Sequence, residues 1–170
     1  MRTADLTDKR TLSAAANIRQ ATTTDDIARA RALFVEYAQW LKVDLCFQGF
    51  AEELKALPAA YAPPRGRLLL AGTTGDAFAC IALRPLDSAG LAEVKRLYVQ
   101  PARRGERWGY RLAENLIAEA RAIGYRELKL DTLEWMTPAR ALYASLGFRE
   151  CAGYYDNPLA GVVYMRLELS

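Results

Sequence analysis

The 170-residue chain has no histidine. That excludes every catalytic triad or dyad built on imidazole and leaves acid–base chemistry to carboxylates, tyrosines, lysines, cysteines or water. Its three cysteines, Cys46, Cys80 and Cys151, are scattered, odd in number and without a C-x-x-C pair. They speak against a disulfide framework or a zinc site and for a reducing cytoplasm. No apolar run approaches the roughly 18 residues of a membrane span, and the opening MRTADLTDKR lacks an apolar signal core. Net charge is short as well: 23 Lys+Arg against 20 Asp+Glu give only +3. No strong overall field points to nucleic acid or a membrane surface, and the basic character is local. There is no internal repeat and no linker long enough to divide domains.

What remains is an ordinary globular composition, 52% hydrophobic and 25% charged, of a length suited to one core. Residues 1–16 are polar and alanine-rich without a clear period, and are expected to form an N-terminal extension to a single domain over 17–170. A short strand is expected at Asn17–Ala21, followed by capping hydroxyls and acids at Thr22–Asp26 and a helix with Ile27, Ala30, Phe34, Tyr37, Ala38 and Leu41 at helical spacing. A second helix over Phe50–Leu57 ends at Pro58. Arg67–Ala71 and Ala77–Leu83 read as a hairpin around a glycine-bearing turn. After the central stretch described next come a strand over Glu127–Leu133, a short helix from Thr137-Pro138 to Leu146, and a final strand pair, Phe148–Ala152 and Val162–Leu169. The order predicts an α/β (α+β) fold: a mixed sheet with helices packed against it.

The chain is organised around residues 91–123. Leu91–Val99 is rich in β-branched and aromatic residues and stops before Pro101. From Trp108 an amphipathic helix places Leu112, Ala113, Leu116, Ile117, Ala120 and Ile123 on one face. Between them lie Arg103, Arg104, Gly105, Glu106, Arg107, Trp108 and Gly109. A glycine-bearing turn entering a helix leaves first-turn N–H groups unpaired at the positive end of the helix dipole, which suits an anion such as phosphate. A basic surface turn before a helix that merely packs is the plainer alternative.

These motifs resemble the GNAT superfamily of acetyl-CoA-dependent N-acetyltransferases over about Asn17–Leu169. EVKRLYV (Glu93–Val99) leading into RGERWG (Arg104–Gly109) is similar to that family's R/Q-x-x-G-x-G/A pyrophosphate loop. ARALYASLGF (Ala139–Phe148) is similar to its A-x-x-x-Y-x-x-x-G-F segment. Two positions depart: Arg107 stands at the loop's middle glycine, and Met136 where members often carry asparagine. The resemblance implies a mostly antiparallel mixed sheet flanked by helices on both faces, with acetyl-CoA as cofactor and direct transfer to a primary amine. An acyl-CoA-binding module without turnover is the alternative.

By the same resemblance, Arg103, Arg104, Gly105, Glu106, Arg107, Trp108, Gly109 and Tyr110 would hold the cofactor's phosphates. The strand edge at Leu97, Tyr98 and Val99 would pair with its pantetheine arm, and a backbone N–H near Leu97 would polarise the acetyl carbonyl. Tyr143 matches the family tyrosine that faces the cofactor sulfur and would protonate the leaving thiolate. Glu93 is expected as general base, because period-2 alternation puts it on one strand face with Lys95 and Leu97. An ion pair with Lys95 or an arginine is nearly as good a reading of Glu93, and Glu134 or water is the reserve. The acceptor pocket is expected among Glu36, Tyr37, Trp40, Asp44, Glu134 and the loop Tyr154, Tyr155, Asp156 and Asn157, mostly acidic and aromatic groups that suit a cationic amine. The acceptor is expected to be a small-molecule or peptide amine, with no nucleic acid and no membrane as partner, and the assembly a monomer or homodimer.

Overall fold

The computed structural model describes residues 17–170, so the extension expected over 1–16 lies outside the described residues. In chain order the elements are β1 (Ile18–Gln20), α1 (Thr24–Leu41), α2 (Phe50–Ala56), β2 (Arg67–Thr73), β3 (Asp76–Pro85), β4 (Leu91–Val99), α3 (Trp108–Ile123), β5 (Glu127–Leu133), α4 (Thr137–Ser145), β6 (Arg149–Cys151) and β7 (Val162–Glu168). Single 3₁₀ turns lie at Cys46–Gln48, Ala59–Tyr61 and Pro101–Arg103.

Local chemistry sets most boundaries. Thr23 accepts from the Asp26 N–H while Asp26 accepts in return from the Thr23 N–H, a reciprocal capping box that starts α1. Gly124, at φ 100°, ends α3 and returns its N–H to the Ala120 and Arg121 carbonyls. Pro138 occupies the first turn of α4, where its missing N–H costs nothing.

The seven strands form one sheet in the order β1-β2-β3-β4-β5-β7-β6. All neighbours are antiparallel except β4 and β5. Both faces are covered. Leu69, Ala71, Ile81, Leu83, Ala92 and Val94 pack with Trp108, Leu112 and Leu116 of α3 and Tyr143 of α4. Leu68, Leu70, Cys80, Ala82 and Tyr98 pack on the other face with Leu33 and Phe34 of α1. Trp108, Leu112 and Leu116 are at most 1% exposed, each contributing roughly 1.5–3 kcal/mol of burial.

Two irregularities of β4 shape the middle of the molecule. Its parallel pairing with β5 ends at Glu93↔Lys129, after only three residue pairs. Beyond that point the two strands separate, leaving the β5-facing edge of Val94–Val99 without a ladder partner. On the β3 side the register slips between Cys80/Tyr98 and Ala82/Lys95, and Arg96 sits in the bulge at φ 59°. The extra residue corrects the expected alternation. Glu93 and Lys95 do share a face, but Leu97 is turned to the opposite one, where it packs with the Ala92–Val94 cluster.

Candidate active site

The gap between β4 and β5 opens into a cleft of ≈ 680 Å³, lined by α1, β4, the loop before α3, β5 and α4. At one end lies the Arg103–Tyr110 stretch. The first intrahelical bond of α3 runs from the Arg111 N–H to the Arg107 carbonyl, and no side chain caps the helix. Among the described residues, the N–H groups of Gly105 through Tyr110 therefore have no hydrogen-bond partner. They form a concave donor surface at a helix N-terminus.

The glycines here have different reasons. Gly105 is at φ 86° with open space around it, so the loop needs its backbone freedom. A Cβ on Gly109 would stand 3.1 Å from Leu142 Cδ1, so Gly109 serves the close approach of α3 to α4 rather than access for an anion. Arg107 takes the left-handed conformation, φ 63°, at the position where the family pattern has glycine. The backbone shape is thus kept at the strain cost of a side chain, on the order of 1 kcal/mol.

The cations of this loop are differently committed. Arg103 is tied to Glu106 at 2.9 Å and lies 3.8 Å over the Phe78 ring. Glu106 also accepts from the Trp108 indole at 2.9 Å, and these two donors, Arg103 first, hold its carboxyl below the usual range. Arg104 and Arg107 are exposed and carry no carboxylate partner among the described residues. Arg104 donates from Nε to the Val99 carbonyl at 3.0 Å and stacks 4.9 Å from Trp40. That carbonyl is free because the Gln100 N–H pairs with Phe78 on β3, which turns the backbone of Val99 toward the gap. Trp40 in turn meets Trp135 across the cleft mouth, ring centroids 5.7 Å apart.

Further in, Tyr143 of α4 is 7% exposed, and its ring packs edge-on to Phe148. Its hydroxyl has no partner among the described residues but is not sealed away, so it opens on the cleft. Burial pushes the phenol well above its ordinary range. Tyr37 of α1 lines the same wall, and burial pushes it up to about 12.

The expected base is elsewhere. Glu93 is 1% exposed and does not line the cleft. Its carboxylate accepts from Arg84 at 2.9 Å and from the Tyr154 hydroxyl at 2.6 Å, with Lys95 Nζ at 3.5 Å. All its acceptor capacity faces protein donors, as the ion-pair reading of that residue anticipated. The carboxylate that does line the cleft is Asp131 of β5, the only acid among the described residues to do so.

Asp131 accepts from the Tyr155 hydroxyl at 2.6 Å and Asn157 Nδ2 at 2.8 Å, and meets no cation among the described residues. Tyr155 also accepts from Gln48 Nε2 at 3.1 Å, and Gln48 Oε1 accepts from Lys95 Nζ at 3.2 Å. A hydrogen-bonded chain Lys95–Gln48–Tyr155–Asp131 thus floors the inner end, with Leu41, Leu45, Leu133 and Leu159 as apolar walls. Burial lowers the Lys95 pKa, opposed by the pull of Glu93.

Of the expected acceptor residues, Tyr37 and Trp40 line the cleft. Glu36 does not: it binds the Gln100 side chain at 3.0 Å. Glu134 is exposed at the far end of β5, outside the cleft lining. Tyr154, Tyr155 and Asp156 border a separate shallow pocket, and Tyr155 reaches the cleft through its hydroxyl's bonds to Asp131, Gln48 and Asn157. Asn157, expected in that loop, does line the cleft, whereas the pattern missed Asp131, Gln48 and Trp135. Asp131 carried no separate signal, since it falls at a polar position of the alternating strand Glu127–Leu133.

Known proteins show the same architecture. A model of the acetyltransferase (GNAT) family matches residues 28–148. A Schizosaccharomyces pombe protein named as an uncharacterized N-acetyltransferase is 41% identical over 146 residues, covering 85% of this chain and 90% of that protein. Among solved structures, a GNAT-family acetyltransferase from Staphylococcus aureus superposes with TM-score 0.75 at 19% identity, covering 92% of this chain and 100% of that one. A putative acetyltransferase from Salmonella typhimurium, solved with its cofactor acetyl-CoA, superposes with TM-score 0.68 at 22% identity over 92% of this chain and 95% of that one.

Proposed function

The chain belongs to the GNAT family of acetyltransferases, and on that premise we propose that it is an acyltransferase that uses acetyl-CoA to acetylate a primary amine directly. The observation that carries the cofactor is the run of unpartnered N–H groups from Gly105 to Tyr110, beside the unpaired edge of β4. These groups fit a pyrophosphate and an amide-bearing arm, with Arg104 and Arg107 adding charge. Bound there, acetyl-CoA supplies a thioester carbonyl: the amine nitrogen forms a C–N bond to it and the C–S bond breaks.

The chain's own groups do the rest. The Leu97 N–H, on the edge β5 has left, donates to the carbonyl oxygen as negative charge develops. Tyr143, kept protonated by burial, gives its proton to the departing thiolate. The ammonium proton leaves through Asp131 or water held by it, since Glu93 is sealed and serves instead to hold Lys95. The three cysteines are free, which suits a reducing cytoplasm, and no described helix is long and apolar enough to cross a membrane.

The test is calorimetric titration with acetyl-CoA and desulfo-CoA. Stoichiometric binding of both supports the reading. No binding at millimolar cofactor would overturn it.

A further inference from the structure

The inner end of the cleft carries two charges of opposite sign, Lys95 and Asp131, that no direct ion pair joins. Glu93 is one carboxylate serving two cations, Arg84 at 2.9 Å and Lys95 at 3.5 Å, so the two share a single directly paired carboxylate. Arg96, the next buried cation, is paired with Glu53 at 2.9 Å, and its charge still adds to the positive field at Lys95. Lys95 is 7% exposed and lines the cleft, and only Gln48 and Glu93 face its ammonium, leaving one of its three donors free. Asp131 meets only neutral donors, and these reach Oδ2, leaving Oδ1 free. Gln48 and Tyr155 stand between the two charges through hydrogen bonds, so Asp131 attracts Lys95 across the gap without a direct ion pair between them.

We propose that the acceptor is a free α-amino acid whose ammonium is received by Asp131 and whose carboxylate is received by Lys95 with Gln48; this rests on the acetyltransferase reading above. A buried, under-compensated cation gains most from an incoming anion. A simple amine would satisfy Asp131 but bring a second positive charge toward Lys95. A peptide N-terminus would offer Lys95 only a neutral carbonyl. Leu41, Leu45, Leu133 and Leu159 beside these groups favour an apolar side chain, so the leucine series is the probe. In the transfer, the ammonium loses one proton to Asp131 and the freed amine forms the bond to the acetyl carbon; as the C–S bond breaks, the thiolate takes its proton from Tyr143, which regains one from the nitrogen of the adduct.

The experiment compares L-leucine, leucinamide and 3-methylbutylamine as acceptors, reading free-thiol release. In parallel, L-leucine is titrated calorimetrically into protein saturated with desulfo-CoA. The expected result is a kcat/KM for L-leucine at least about tenfold above both analogues, and measurable L-leucine binding. Lys95→Met, checked for unchanged melting and acetyl-CoA affinity, should bring that ratio to within about threefold. An amide or amine used as well as the acid, or a ratio that survives in Lys95→Met, overturns the proposal. So does silence from all three probes while acetyl-CoA binds. Failure to bind acetyl-CoA would instead overturn the function itself. Should Lys95→Met not fold, the wild-type series decides alone.

Discussion

At the α3 end of the cleft the recognition groups are backbone N–H donors on an exposed turn, with arginines around them. At the Leu45–Leu159 end they are side chains, Lys95, Gln48, Asp131 and Asn157, each from a different element and joined by hydrogen bonds. The first end tolerates change in side chains because shape resides in the backbone; even an arginine can stand in a left-handed position there. The second has no such tolerance. Removing one member strands a charge or a donor in a poorly hydrated place. On the function proposed above, the end assigned to the cofactor is thus general and the end assigned to the acceptor particular, in keeping with a fold whose function is set by what is grafted on it.

Substitutions at the particular end should strike hardest. Asp131→Asn is expected to lower kcat/KM on the order of 10³-fold, within the range of general acid–base groups, while acetyl-CoA affinity stays within a few-fold; steady-state kinetics beside calorimetry will show whether the two ends are separable. Tyr143→Phe sits between them. It should lower kcat by about 10²-fold with little change in cofactor affinity, and unchanged turnover in a stopped assay would remove it as the acid.

At the general end, Arg107→Gly keeps the backbone shape and relieves the strain at φ 63°. The expected outcome is a gain of about 0.5–1 kcal/mol in unfolding free energy and acetyl-CoA affinity within about threefold. A loss beyond tenfold would mean that charge, not backbone, holds the phosphates. The smallest effect concerns pH. Tyr37 ionises at about 12 in the fold and near its ordinary 10 when unfolded, so the unfolded chain releases that proton first. Its contribution is intact below pH 10 and is lost as pH rises toward 12. Tyr37→Phe should flatten the fall in melting temperature over that window, and an unchanged slope would refute the assignment.

Much of the fold was legible from short stretches. The α1 cap, the hairpin, the amphipathic face of α3 and the glycine stop at Gly124 each depend on residues within a few turns of one another. The anion-suited turn was legible for the same reason. Which reading of Glu93 holds, base or ion pair, was not, because alternation along β4 says nothing of Arg84 or of Tyr154, 61 residues away. Nor could alternation anticipate the bulge at Arg96, which reverses the facing of Leu97.

The sequence by itself determined the elements, their order and the loop that suits phosphate, since these follow from periodicity, caps and turn residues along a continuous stretch. Only the tertiary structure decided which carboxylate faces the cleft. Asp131 reaches the inner end of the cleft because β5 leaves β4 after Lys129, and its neighbours arrive through contacts such as Gln48 to Tyr155, 107 residues apart. Such a meeting depends on how sheet and loops pack around a shared gap, and no local pattern carries that information.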